Sequence, residues 1–159
     1  FTGVRVGITL VKGLAWSLKR PCVTVSTLEA MALVAQPAVV DEPFIVPLID
    51  ARVGEVYGAV FRPNESGLER LTEDFSATPD CVARRLAGRA LFTGEGARRY
   101  FDPHLAPLGC LAPPDFIPAR PGAVATLANE HFRKGHIRNP AEITPLYLRQ
   151  ATTTRPPSA

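Results

Sequence analysis

Phe44-Ile45-Val46-Pro47-Leu48-Ile49, followed by Asp50-Ala51-Arg52-Val53-Gly54 and then by Glu55 to Phe61, is the segment that decides the architecture. Its first six residues form a compact apolar strand, and the five that follow turn the chain. The β-branched and aromatic content of Glu55 to Phe61 suits the returning arm of a hairpin. Upstream, Phe1 to Leu18 reads as a helix and Cys22 to Val25 as a short buried strand. Ser26-Thr27-Leu28-Glu29 is a capping box that opens a second helix running to about Ala35. Two prolines and two acids make the stretch from Gln36 to Pro43 a linker. Downstream, Leu68 to Leu71 adds a third strand, and Thr78 before Pro79 caps a helix reaching Leu86. Ala90 to Thr93 is a strand that ends in Gly94-Glu95-Gly96-Ala97 and leads into a helical stretch through Tyr100. The proline-rich segment from His104 to Arg120 reads as an extended surface crossing, and Pro121 to Lys134 as a last helix. Strands alternating with helices define an α/β chain.

The composition agrees with a folded domain. Of 159 residues, 46% are hydrophobic and 21% charged, with a mean hydropathy of +0.06, away from the polar, highly charged corner where chains stay disordered. No run approaches the roughly 20 apolar residues of a membrane span, and no secretory signal opens the chain. A soluble, cytoplasmic protein is expected. Eighteen Lys and Arg against 15 Asp and Glu leave +3. The cations are scattered along the sequence, so a pI near 9.0 permits an RNA partner without arguing for one. Cys22, Cys81 and Cys110 lie far apart with no Cys-x-x-Cys pair, as reduced core thiols do.

On a wheel at 100° per residue, Arg5, Thr9, Lys12, Trp16 and Lys19 share one narrow side of the first helix. The apolar and small residues fill an arc of roughly 220°, against the ~100° that packing on one neighbour needs. Such a helix is expected to lie on its own sheet along one stripe and to meet another helix along a second. Gly3 and Gly7, one turn apart, allow close approach there.

Phe1-Thr2-Gly3-Val4-Arg5-Val6-Gly7, Lys12-Gly13-Leu14-Ala15, Val25-Ser26-Thr27-Leu28-Glu29-Ala30, Ile49 to Tyr57, Gly94-Glu95-Gly96-Ala97 and Pro145-Leu146-Tyr147-Leu148-Arg149 together resemble the TsaB family of bacterial tRNA threonylcarbamoyladenosine proteins, formerly described as glycoprotease-like. The resemblance covers Phe1 to Arg149. It implies an α/β, actin-like ATPase fold of two ribonuclease-H-like lobes, of which this chain holds the end of the first and all of the second, as a fragment lacking the amino-terminal part. The expected division is residues 1–36 for the first-lobe portion, 37–43 for the linker, 44–149 for the second lobe and 150–159 for a disordered tail. The resemblance also implies a role in tRNA modification as a non-catalytic partner or scaffold. It would bind and activate the paralogue TsaD, together with the ATPase TsaE, in threonylcarbamoyl transfer to the anticodon-adjacent adenosine. It would touch tRNA only indirectly, and a homodimer through the first-lobe helix is a further option.

On that footing the expected interface residues are Arg5, Ile8, Lys12, Ala15 and Trp16. In this fold superfamily a nucleotide site uses two phosphate hairpins and an adenosine loop. Asp50 to Gly54 falls where the second hairpin belongs but has Ala51-Arg52-Val53 in place of closely spaced glycines, and Gly94, Glu95 and Gly96 sit at the adenosine loop. Weak ATP or ADP binding is therefore the most these residues offer, and no cofactor is required. No catalytic residue and no metal site is expected, because His104, His131 and His136 lack ligand spacing and no nucleophile elbow is present. A glycoprotease-like peptidase and a sugar- or acetate-kinase-like ATPase are the enzymatic alternatives.

Overall fold

The computed structural model describes residues 2–65, 67–116 and 119–148. Phe1 and the tail 150–159 lie outside the described residues. The organising strand is β1 (Phe44–Arg52), whose first five residues are buried. Alternation puts Phe44, Val46 and Leu48 into one apolar cluster and Ile45 into another on the opposite face, so the run is apolar because both faces are covered.

Along one edge β1 pairs in parallel with β6 (Ala90–Thr93), and β6 with β7 (Gly109–Leu111). Along the other edge the returning arm runs antiparallel, but as two strands rather than the single one expected. β2 (Glu55–Gly58) pairs Leu48 with Gly58, and β3 (Phe61–Asn64) pairs Ile45 with Phe61. The register is continuous across the break at Ala59 and Val60. The break exists because the arm has two further neighbours: β3 takes β4 (Gly67–Arg70) and β2 takes β5 (Phe75–Ala77). Val60 bridges the gap, its N–H donating to Thr72 Oγ1 at 2.9 Å while its carbonyl accepts from Leu71 N at 2.9 Å.

Helices cover both faces. On one side α3 (Pro79–Ala83), α4 (Glu95–Tyr100) and the helical turn Phe101–Leu105 enclose Val56, Val82, Phe92, Ala97 and Leu105. On the other, α2 (Thr27–Ala35) lays Leu28, Ala32 and Ala35 over Ile45, Phe61 and Leu91. Half of the expected capping box forms, with Ser26 accepting from Glu29 N at 3.5 Å, while the Glu29 carboxylate turns to Arg70 and His131 rather than back to Ser26. The last helix, α5 (Pro121–Arg133), rests on α2 through the buried Leu127.

Four sequence expectations need correction. Cys22 to Val25 is not a strand: Cys22 alone makes a bridge, to Arg138, because no sheet edge is offered to its neighbours. The helix after Pro79 stops at Ala83 rather than Leu86. Strand β5 was not foreseen. The crossing from His104 to Arg120 contains helical turns and β7, three residues that extend because β6 supplies their register.

The β1–β2 turn carries a local strain. Val53 has φ 54° and Gly54 φ 78°, positive at both central positions as a type I′ hairpin turn requires, where Asn-Gly is preferred. Val53 is 83% exposed, so nothing in its packing repays a β-branched residue in the left-handed region. Val53→Asn is expected to raise unfolding stability by about 1 kcal/mol, read from urea denaturation.

Candidate functional site

Helix α1 (Thr2–Ser17) stands apart from the sheet. Its contacts run instead to the segment 137–148, which corrects the expectation that one stripe lies on the chain's own sheet. The side turned inward is mixed, with Arg5 and Lys12 beside Ile8 and Ala15. Arg5 Nε donates to Tyr147 Oη at 2.7 Å with its guanidinium 5.4 Å from that ring. Lys12 Nζ donates to the carbonyls of Ile143 at 2.9 Å and Ala141 at 3.2 Å. Ala15 is buried and Ile8 half-buried. The physical reason is that an irregular segment presents free carbonyls, which a lysine satisfies and a leucine does not. Of the expected interface residues, Arg5, Ile8, Lys12 and Ala15 thus face the chain's own C-terminal segment, and only Trp16, 70% exposed, points out.

What α1 leaves open is its apolar arc. Val6, Leu10, Leu14 and Leu18 follow one another at four-residue spacing, flanked by Val4 and Val11, and all six are more than half exposed. Around Gly3, Gly7 and Gly13 a Cβ would meet nothing within 4 Å. Large exposed apolar patches of this kind mark binding surfaces.

The expected nucleotide loops are occupied from within. Asp50 Oδ2 accepts from Arg99 Nη1 at 2.8 Å and Oδ1 from Arg52 N at 2.9 Å, so both carboxylate oxygens are engaged. Arg99 also lies 5.6 Å from the Tyr100 ring. Gly94 is the residue before α4, with φ 101° and ψ 168°, and a Cβ on it would collide with the Leu48 carbonyl and with Met31 Cε. A Cβ on Gly96 would come within 2.8 Å of the Ile49 carbonyl carbon. Both glycines let α4 approach the backbone of β1, and Glu95 begins the helix beside them.

His104 lies apart from His131 and His136, whose rings are 5.5 Å from one another. His104 Nδ1 is 2.7 Å from Asp80 Oδ1, while His131 Nε2 is 3.5 Å from Glu29 Oε1. Among the described residues no group of three or more His, Cys, Asp or Glu is arranged to hold a metal ion, and no helix is long and apolar enough to cross a membrane.

Two polar clusters escaped the sequence reading, since their members lie far apart in the chain. Arg70, Asp74, Glu29, Ser26 and His131 join β4, α2 and α5. In the expected linker, Glu42 is buried and accepts from Cys110 Sγ at 2.9 Å. That thiol hydrogen bond holds the Glu42 carboxyl below its ordinary value of 4.5. The same bond, then burial, raises Cys110 above 9.0. A depressed carboxyl contributes stability that is lost as pH falls through its folded value, and a raised thiol contributes stability that is lost as pH rises past its unfolded one. The stability difference between wild type and Cys110→Ala is therefore expected to be level between about pH 5 and 8 and to shrink on both sides, measured by urea unfolding across pH.

Comparison with known proteins agrees with this architecture. A family model described as "TsaD: tRNA N6-adenosine threonylcarbamoyltransferase" matches residues 1–90. The tRNA threonylcarbamoyladenosine biosynthesis protein TsaB of Bacillus subtilis (strain 168) is 40% identical over 74 residues, which are 46% of this chain and 31% of that protein. The protein of the same name from Escherichia coli (strain K12) is 36% identical over 106 residues, 64% of this chain and 46% of that one. The chain belongs to the TsaB family. It spans about a third to a half of the length of these two curated relatives. The solved structure of YeaZ from Pseudomonas aeruginosa superposes with a TM-score of 0.80 at 26% identity, covering 93% of this chain and 69% of that one. The fold is the actin-like, ribonuclease-H-like α/β fold of that family.

Proposed function

We propose that this chain acts in tRNA threonylcarbamoyladenosine biosynthesis in the cytoplasm, as part of a non-catalytic subunit that binds and activates TsaD. The observation that carries this reading is the open apolar face of α1. The names of the relatives supply the pathway, and the face supplies a means of pairing. Val6, Leu10, Leu14 and Leu18 form a ridge beside the smooth strip at Gly3 and Gly7, the geometry on which a partner helix seats closely. Without TsaD the same ridge takes a second copy of the chain, and TsaE joins through TsaD. Engagement of Asp50 with Arg99, and of Gly94 and Gly96 with β1, supports a subunit that needs no cofactor. Titration with ATP is expected to give affinity no tighter than millimolar.

The deciding experiment is calorimetry of the full chain with purified TsaD. Wild type is expected to bind, and Leu10→Glu with Leu14→Glu to weaken binding at least about 30-fold, the effect of losing a hot spot of 2 kcal/mol. Ile8→Glu, on the inward face, is expected instead to lower the chain's own stability. A wild type that does not bind, or a double variant that binds equally well, overturns the proposal.

A further inference from the structure

Cations that are scattered in the sequence are gathered by the fold. The pairing of Cys22 with Arg138 lays the stretch after α1 alongside the stretch after α5. Residues Trp16 to Val25 and His131 to Ala141 contain Lys19, Arg20, Arg133, Lys134 and Arg138 and not one Asp or Glu, in a chain whose whole excess is +3. All five are exposed, and none is ion-paired with a described residue. Five of the ten other described arginines, by contrast, are tied down on acids or rings: Arg62, Arg70 and Arg99 on carboxylates, Arg5 over Tyr147 and Arg85 over Phe75. Between the two stretches opens a cavity of about 590 Å³ lined by Trp16, Lys19, Arg20, Ile137, Arg138 and Asn139. Trp16 is 70% exposed at its edge and Phe132 is 51% exposed.

We propose that this surface binds single-stranded RNA, with a base stacked on Trp16 and the backbone phosphates on Lys19, Arg20 and Arg138. The chemistry selects the ligand. Unpaired clustered cations attract a polyanion and release its counterions. An exposed indole among them adds a platform that every unpaired base fits and that a duplex, with its bases stacked inside, does not use. Asn139, whose Oδ1 already accepts from Ala141 N at 3.0 Å, keeps its NH2 as a donor to a base edge. The backbone also holds Lys19 at φ 52°, a left-handed position at a helix end that glycine normally takes. Direct RNA contact goes beyond the pairing proposed above and does not depend on it.

Trp16 is the single tryptophan of the chain, so its fluorescence reports stacking directly. The test is titration of the full chain with a fluorescein-labelled 12-nucleotide single-stranded RNA of mixed sequence, followed by anisotropy and by Trp emission. The controls are the duplex form, heparin and vesicles of anionic phospholipid. The single strand is expected to bind and quench Trp16, with log K falling by about 2 per decade of salt as three phosphates are neutralised. Trp16→Ala is expected to weaken binding roughly 5- to 150-fold. Lys19→Gly and Arg138→Ala are each expected to flatten the salt slope by about 0.7, and Lys19→Gly leaves stability equal or higher, which separates binding from folding. Binding without Trp quenching, equal affinity for heparin or vesicles, Trp16→Ala binding as wild type does, or no binding at 50 mM salt each overturns the proposal. TsaD pairing is measured in a separate titration, so either result stands without the other.

Discussion

Gly94→Ala is expected to destabilise the protein by about 4 kcal/mol, a large share of the 5 to 15 kcal/mol that holds a domain of this size together. Two independent effects add. Gly94 has φ 101° and ψ 168°, a region open essentially to glycine alone, where a side chain costs about 1 to 3 kcal/mol. A Cβ there also meets the Leu48 carbonyl and Met31 Cε. The neighbour on one side is the backbone of the central strand β1, which cannot move without breaking its ladders to β2 and β6, so overpacking adds about 1 to 3 kcal/mol more. The measurement is urea unfolding followed by far-ultraviolet circular dichroism, since Trp16 is too exposed to report the core. A glycine kept for a nucleotide would behave differently, because its alanine variant would lose ligand affinity and keep its stability. A loss below about 1 kcal/mol would remove the packing explanation.

That contrast marks where the sequence was legible. Local signals placed elements well wherever the cause of the element is itself local. The capping serine of α2, the proline that opens α5 and the apolar run of β1 all act within a few residues. What resisted reading depends on partners distant in the chain. The arm from Glu55 to Asn64 divides because β4 and β5 claim different halves of it, and β7 extends only because β6 lies beside it. On α1 the wheel grouped Arg5 and Lys12 with Trp16 and apart from Ile8 and Ala15, whereas the structure turns Arg5, Ile8, Lys12 and Ala15 inward and leaves Trp16 exposed. That depended on Tyr147 and the carbonyls of Ala141 and Ile143, more than 120 residues away in the chain. The same limit applies to the cations around Trp16. Charge that looks dispersed along a sequence becomes a patch only once Cys22 is set against Arg138.

Arg70→Met is expected to cost about 3 kcal/mol, and the cluster it sits in explains how α2 and α5 are fastened to the sheet. Arg70 Nη1 lies 2.5 Å from Asp74 Oδ1 and Nη2 3.7 Å from Glu29 Oε2, with side-chain exposures of 28%, 13% and 18%. Its guanidinium is also 4.7 Å from the centre of the Phe61 ring. Asp74 accepts from Ser26 Oγ at 3.3 Å, the same hydroxyl that caps α2, and Glu29 reaches on to His131 of α5. Methionine keeps an apolar stem over Phe61 but leaves two half-desolvated carboxylates facing one another, and breaking a shielded pair from one side is far costlier than the pair's net worth. Arg62 provides the internal comparison. Its bond to Glu69 joins β3 to β4 with both side chains about half exposed, at 50% and 51%, so Arg62→Met is expected to cost no more than about 0.5 kcal/mol. Glu29→Gln in the Arg70→Met background removes one stranded charge and is expected to recover about 1 kcal/mol. Urea unfolding of the three variants beside wild type decides the matter: an Arg70→Met loss no greater than that of Arg62→Met would mean that solvent already screens the cluster, and that apolar burial of Leu28, Ala32, Ala35 and Leu127 alone fastens the helices.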